Sequence, residues 1–111
     1  MAYDEHLAAR IRTLLEDEAG LTETKMFGGL AFMIGGNMAV AASGQGGLLV
    51  RADPATSDRL LTSTGVQPME MRGRQMPGWL RVDDEAVRTK RQLERWVKVG
   101  AGYARTLPPK R

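Results

Sequence analysis

The chain contains no cysteine. That absence excludes disulfides, thiolate–zinc and iron–sulfur sites, and thiol nucleophiles. Histidine is almost as scarce. His6 stands alone, so histidine-rich metal sites and Ser-His-Asp arrangements have too few parts. No run of 18 apolar residues occurs, and no segment reads as a membrane span. The first residues, MAYDEHLAARIRTLLEDEAG, lack the basic start and apolar block of a secretory signal. A cytoplasmic protein is the default expectation. Internal repeats and low-complexity linkers are missing as well.

What is present describes one domain spanning residues 1–111, since 111 residues leave no room for two. A chain of this length buries about two thirds of its extended surface on folding. The apolar fraction of 42% and charged fraction of 26% are ordinary globular values, and disorder is a poor reading. The formal net charge is +3, unevenly spread. Residues 1–60 carry 5 Lys/Arg and 8 Asp/Glu, whereas residues 61–111 carry 11 and 5. This asymmetry permits a polyanion-binding face on the second half, and equally a solvated basic surface.

Periodicity sets the order of elements. Residues 4–19 read as an amphipathic helix with Leu7, Ile11, Leu14 and Leu15 on one stripe, Asp4 as N-cap and Gly20 as stop. Met26–Ile34 reads as a first strand, Met38–Ala42 as a second and Leu48–Arg51 as a third, separated by glycine-rich turns. Asp53-Pro54 opens a short helix to Leu60 or Leu61. Met69 and Met71 mark a fourth strand. Gly73, Pro77 and Gly78 then form a tight connection to a fifth strand at Trp79–Val82. A single turn at Asp84–Val87 precedes a helix from Lys90 to about Thr106, capped by Thr89. Residues 107–111 are expected to fray. The expected fold is α+β with two layers: a five-stranded antiparallel sheet covered by helices on one side.

The last helix is the most legible element. Leu93, Trp96, Val97, Gly100, Ala104 and Leu107 fall on one face. Arg88, Arg91, Arg95, Lys98 and Arg105 fall opposite, a candidate for nonspecific polyanion binding. Few side chains suited to reading bases accompany them. Gly28-Gly29 inside a strand-like run calls for a bulge, a close helix–sheet approach or a backbone contact to a ligand. Gly44-Gln45-Gly46-Gly47 reads as a hairpin turn rather than a phosphate loop, because no helix follows it. Arg72 and Arg74 are candidates for an anionic group or a protein partner, with Trp79 beside them. Asp83 and Asp84 read as caps, and Ser43 has no evident base. No catalytic set, metal site or cofactor site can be assembled, so an enzyme is not expected. Met33, Leu49 and Trp79 on the uncovered sheet face make a homodimer or another protein partner the favoured expectation.

Four blocks in order carry a family likeness: KMFGGLAFMIGGNMAV at Lys25–Val40, GGLLVRADP at Gly46–Pro54, PMEMRGRQMPGWLRVD at Pro68–Asp83 and LERWVKVGAGYARTLPPK at Leu93–Lys110. With these the sequence resembles the TfoX/Sxy N-terminal domain family. The resemblance implies a secretion-chaperone-like two-layer α/β fold with an antiparallel sheet. It also implies a bacterial, non-catalytic regulatory or interaction domain. Longer members are regulators of natural competence with a second, C-terminal domain of helix-hairpin-helix character, and this chain is expected to be a stand-alone form without it. The positions that match the family signature are Met26, Phe27, Gly28, Gly29, Gly36, Asn37, Met69, Met71, Gly73, Arg74, Trp79, Trp96, Tyr103 and Ala104.

Overall fold

Helix α1 begins where Asp4 offers its carboxylate to the backbone N–H groups of His6 and Leu7, satisfying two donors of the first turn. A computed structural model describes residues 3–26 and 28–109, with every side chain among them except that of Met71. Signature residue Phe27 and the Met71 side chain therefore lie outside the described parts. The helix runs Glu5–Leu14 rather than to residue 19. Glu16, Asp17 and Glu18 follow it, and three carboxylates at a helix C-terminus oppose the helix dipole.

Among the described residues the sheet has six strands, not five: β1 Leu21–Met26, β2 Gly29–Ile34, β3 Asn37–Ala42, β4 Leu48–Arg51, β5 Val66–Met71 and β6 Arg74–Val82. All pairs are antiparallel, in the order β1-β2-β3-β4-β6-β5. The segment read as one strand from Met26 breaks at Gly28 (φ +75°): Met26 ends β1, and Gly29–Ile34 is β2, which pairs with β1 as a hairpin. β1 has the sequence LTETKM and is mostly exposed. An edge strand with one weakly apolar face gives little periodic signal. The connection expected at Gly73–Gly78 is likewise shorter. Arg72 (φ +54°) and Gly73 (φ +79°) form the turn, and Pro77 and Gly78 belong to β6. Pro77 is tolerated because β6 pairs with β4 only from Trp79 onward and because the register shift between Pro68 and Glu70 leaves it without a partner on β5.

Helix α2 spans Pro54–Leu60, with Asp53 as N-cap. A 3-10 turn at Asp84–Val87 leads to α3, Lys90–Thr106, closed at its start by a Thr89–Gln92 capping box. The main core lies between the helices and one sheet face. It joins Leu7 and Ile11 of α1 to Leu93, Trp96 and Val97 of α3 across Phe32, Val40, Val50, Leu80 and Val82. Each such large side chain contributes about 1.5–3 kcal/mol by leaving water. A Cβ at Gly100 would sit 2.2 Å from the Ala39 carbonyl oxygen, so α3 rests directly on the β3 backbone. Beyond α3, the Asn37 side chain, 2% exposed, donates to the Pro108 carbonyl at 3.0 Å, within the segment expected to fray.

Candidate functional site

The sheet face away from the main core carries a second apolar group, and all its members come from strands. Ala31, Met38, Ala41, Leu49 and Met69 are buried there, rimmed by half-buried Met26, Met33 and Trp79. Leu49 was expected to be exposed on this face and is only 4% exposed. Its neighbours Ala31, Met38, Ala41 and Met69 cover it, and the register shifts at Phe32/Met33 and Pro68/Glu70 lie in two of the strands that supply them. Irregularities of that kind raise local twist and bend a strand. The apolar surface left open is the rim alone.

Trp79 is further engaged. The Arg51 guanidinium lies 5.1 Å from its ring centroid and 5.7 Å from that of Tyr103 on α3. One cation thus stacks on two rings and links β4, β6 and the end of α3. Arg51 was not singled out from the sequence. Its signal was faint: a charged residue at the end of an otherwise apolar strand.

At the tip of the β5–β6 hairpin, Arg72 and Arg74 are exposed, flanking Gly73. Arg72 is the one described residue other than glycine with a positive φ. Asparagine or glycine normally takes this turn position, and other side chains meet a steric cost there.

The basic candidates on and before α3 divide into two sets. Arg88, Arg91, Arg95 and Lys98 are exposed. Arg10 donates to the Arg88 carbonyl at 3.0 Å, Arg95 reaches Ser63 Oγ at 3.3 Å, and the Arg95 guanidinium sits 4.7 Å from the Trp96 ring. Arg105, by contrast, is held by Glu18 through two of its nitrogens. That ion pair removes Arg105 from the expected stripe. The same bonds hold the Glu18 carboxyl below its ordinary pKa, with the Arg105 hydrogen bond as the main cause. Glu23 is lowered in the same way by Arg12, which grips it from α1 at 2.6 and 2.8 Å.

A cleft of about 490 Å³ opens beside the second apolar group. Leu49 and Met69 form its apolar part, Gln45, Gln67 and Glu70 its polar rim, and half-buried Arg81 lines it. Arg81 points to the same face as Leu49 and Gln67, its register partners on β4 and β5. Ser43, 5% exposed, accepts from the Gln45 backbone N–H and stands 3.4 Å from Arg81 Nη1. The residues expected as helix caps behave differently from each other. Asp83 is in the N-cap position of the 3-10 turn without a side-chain cap bond, while Asp84 accepts from the Gly47 N–H at 2.9 Å and fixes the β3–β4 turn. His6 is exposed. Among the described residues no group of three or more His, Asp or Glu side chains could hold a metal, and no helix is long and apolar enough to cross a membrane.

Residues 13–103 match the family described as the TfoX N-terminal domain. The chain belongs to the TfoX N-terminal domain family. No curated protein and no solved structure matches it. Within this TfoX N-terminal domain most signature positions hold the fold. Gly28, Gly36 and Gly73 occupy positive-φ turn positions. A Cβ at Gly29 would lie 2.2 Å from the Ala42 carbonyl oxygen, so the close approach expected there is to a neighbouring strand, not a helix. Asn37 holds Pro108, while Trp96 and Ala104 are core. Met26, Trp79 and Tyr103 are partly exposed around the second apolar group and Arg51. The structure brings Trp79 to this face and leaves Arg72 and Arg74 at the hairpin tip.

Proposed function

We propose that this TfoX N-terminal domain works as a non-catalytic interaction module, and that it contacts a second copy of itself through the helix-free sheet face. Family membership supports the regulatory or interaction role. The observation that carries the surface is the rim of half-buried Met26, Met33 and Trp79 around a buried group that no helix of the core supplies. The secretion-chaperone-like arrangement implied by the family resemblance suits this role, since it covers one sheet face and leaves the other for a partner. A two-fold pairing would close such a patch on itself. Arg72, in a strained turn position, and Arg74 would then flank the contact, where strain retained in a turn often marks function.

The test is mass in solution. Sedimentation equilibrium at micromolar protein should report about twice the 12.2 kDa of one chain. Replacing Trp79 by Glu should return the monomer mass with unchanged circular dichroism, as charge at an interface anchor disfavours docking. A monomer across the whole micromolar range rejects the pairing and leaves a different protein, docked through Arg72 and Arg74, as the partner to seek.

A second reading, nonspecific nucleic-acid binding through the face of α3, is supported by four exposed cations, Arg88, Arg91, Arg95 and Lys98. Against it stands Glu94, which precedes Lys98 by four residues and dilutes the positive field.

A further inference from the structure

Arg81 is a charged residue in the middle of a strand whose neighbours are Leu80 and Val82, both 1% exposed. Its guanidinium offers five N–H donors. Two are directed to oxygens, Ser43 Oγ and the Gly46 carbonyl, each at 3.4 Å. That is longer than an ordinary N–H···O bond. No carboxylate among the described residues forms an ion pair with it. The turn that carries both oxygens is held in place. Gly46 donates to the Ser43 carbonyl, Ser43 donates to the Gly47 carbonyl, and Asp84 grips the Gly47 N–H. A Cβ at Gly47 would come 2.5 Å from the Val82 carbonyl oxygen, so this turn packs directly on β6 beside Arg81. The result is a half-buried cation with spare donors, beside a fixed turn, on the wall of a cleft of about 490 Å³.

We propose that this cleft binds a monocarboxylate with an apolar body. The planar guanidinium fork matches a carboxylate, and such charge-assisted pairs are short and strong. Leu49 and Met69 supply an apolar floor for the rest of the ligand. Gln45 and Gln67 can bond a polar group next to the carboxylate. Glu70 on the rim disfavours phosphate clusters and other polyanions, because its charge opposes theirs and one Arg cannot offset both. Cleft size and mixed lining fall within the range of small-ligand sites. The same chemistry occurs in a free small carboxylic acid and in the C-terminal carboxylate of a peptide. The cleft shares Leu49 and Met69 with the face proposed to pair, so ligand and second copy compete for it, and the mass measurement tests the pairing separately.

The experiment is a ¹H–¹⁵N NMR titration of the full chain. Its probes are 4-methylpentanoate, N-acetyl-leucine, a tripeptide ending in a free leucine carboxylate, and the amide of each, up to about 10 mM. The acids should shift Gly46, Gln67 and Arg81 signals with a millimolar or tighter Kd, and the amides should not. Stronger binding by the tripeptide assigns a peptide terminus; equal or stronger binding by 4-methylpentanoate assigns a small acid. Arg81→Gln should weaken binding at least about tenfold, and Arg81→Lys less. Glu70→Gln alters an exposed side chain and should tighten binding about two- to fivefold by removing a like charge. The idea is overturned if acids and amides shift the spectrum alike, if no probe binds, or if Glu70→Gln and Arg81→Lys both leave the acid affinity unchanged.

Discussion

Gly100 and Trp96 act as a pair on α3. The glycine lets the helix backbone reach β3, and the tryptophan, 2% exposed, fills the space beside that contact. Gly100→Ala would place a methyl group 2.2 Å from the Ala39 carbonyl oxygen, which is backbone and cannot step aside. Overpacking of this kind costs about 1–3 kcal/mol or more. Trp96→Ala removes a large buried side chain and should cost about 3–5 kcal/mol. Urea melts of both variants check these values, and a loss under about 1 kcal/mol for either contradicts the packing described. Arg72 presents the opposite case. Replacing it by Asn, which accepts the left-handed region, should raise stability by about 0.5–1 kcal/mol in the same melts. If Arg72 and Arg74 serve a partner, that gain in stability comes with weaker self-association.

At the scale of elements, two exposed ion pairs tie pieces of the chain that are distant in sequence. Arg12–Glu23 joins α1 to edge strand β1, and Arg105–Glu18 joins the end of α3 to the segment after α1. Both carboxyls have lowered pKa values in the fold. The unfolded chain therefore binds more protons than the folded one in the carboxylate range. The stabilisation is present above the ordinary carboxylate pKa and is lost as pH falls through the lower folded values. Stability should accordingly drop as pH falls below about 4.5. Glu18→Gln and Glu23→Gln should each flatten that acid limb while changing little at high salt and neutral pH, where exposed pairs contribute little. Thermal melts from pH 3 to 7, on the order of half a unit apart, read this directly. An acid limb of unchanged slope in the double variant assigns the effect to other groups.

The whole molecule separates an acidic first part from a basic second part, yet folding redistributes that charge. Glu18 comes to Arg105 across 87 residues of sequence. Four exposed cations then remain of the five counted on the sequence. If they bind DNA, the dependence of log affinity on log salt should have a slope of about −2.7 to −3.6, from three to four phosphates neutralised. Charge reversal at Arg91 and Arg95 should abolish binding for unrelated sequences alike. Absence of binding at low salt leaves the face as solvated surface. Replacing both Glu18 and Arg105 by Gln should scarcely alter the slope, because the pair they form is already neutral.

Local sequence determined the elements whose signals are strong and short-ranged. The Thr89 capping box, the Asp53-Pro54 start, the Asp4 cap and the stripe from Leu93 to Ala104 are written within a few residues of each other, and each forms as read. The α+β class and the antiparallel order of β2, β3 and β4 followed from the same period-two and glycine signals. Tertiary structure alone decided the rest. β1 has too few apolar residues to declare itself, and it exists because β2 offers it a ladder. The burial of Leu49, the stacking of Arg51 between Trp79 and Tyr103, and the placing of Arg81 beside Ser43 and Gly46 depend on contacts between residues far apart in the chain. Periodicity assigns a side chain to a face, but sheet curvature and neighbouring strands decide what else occupies that face.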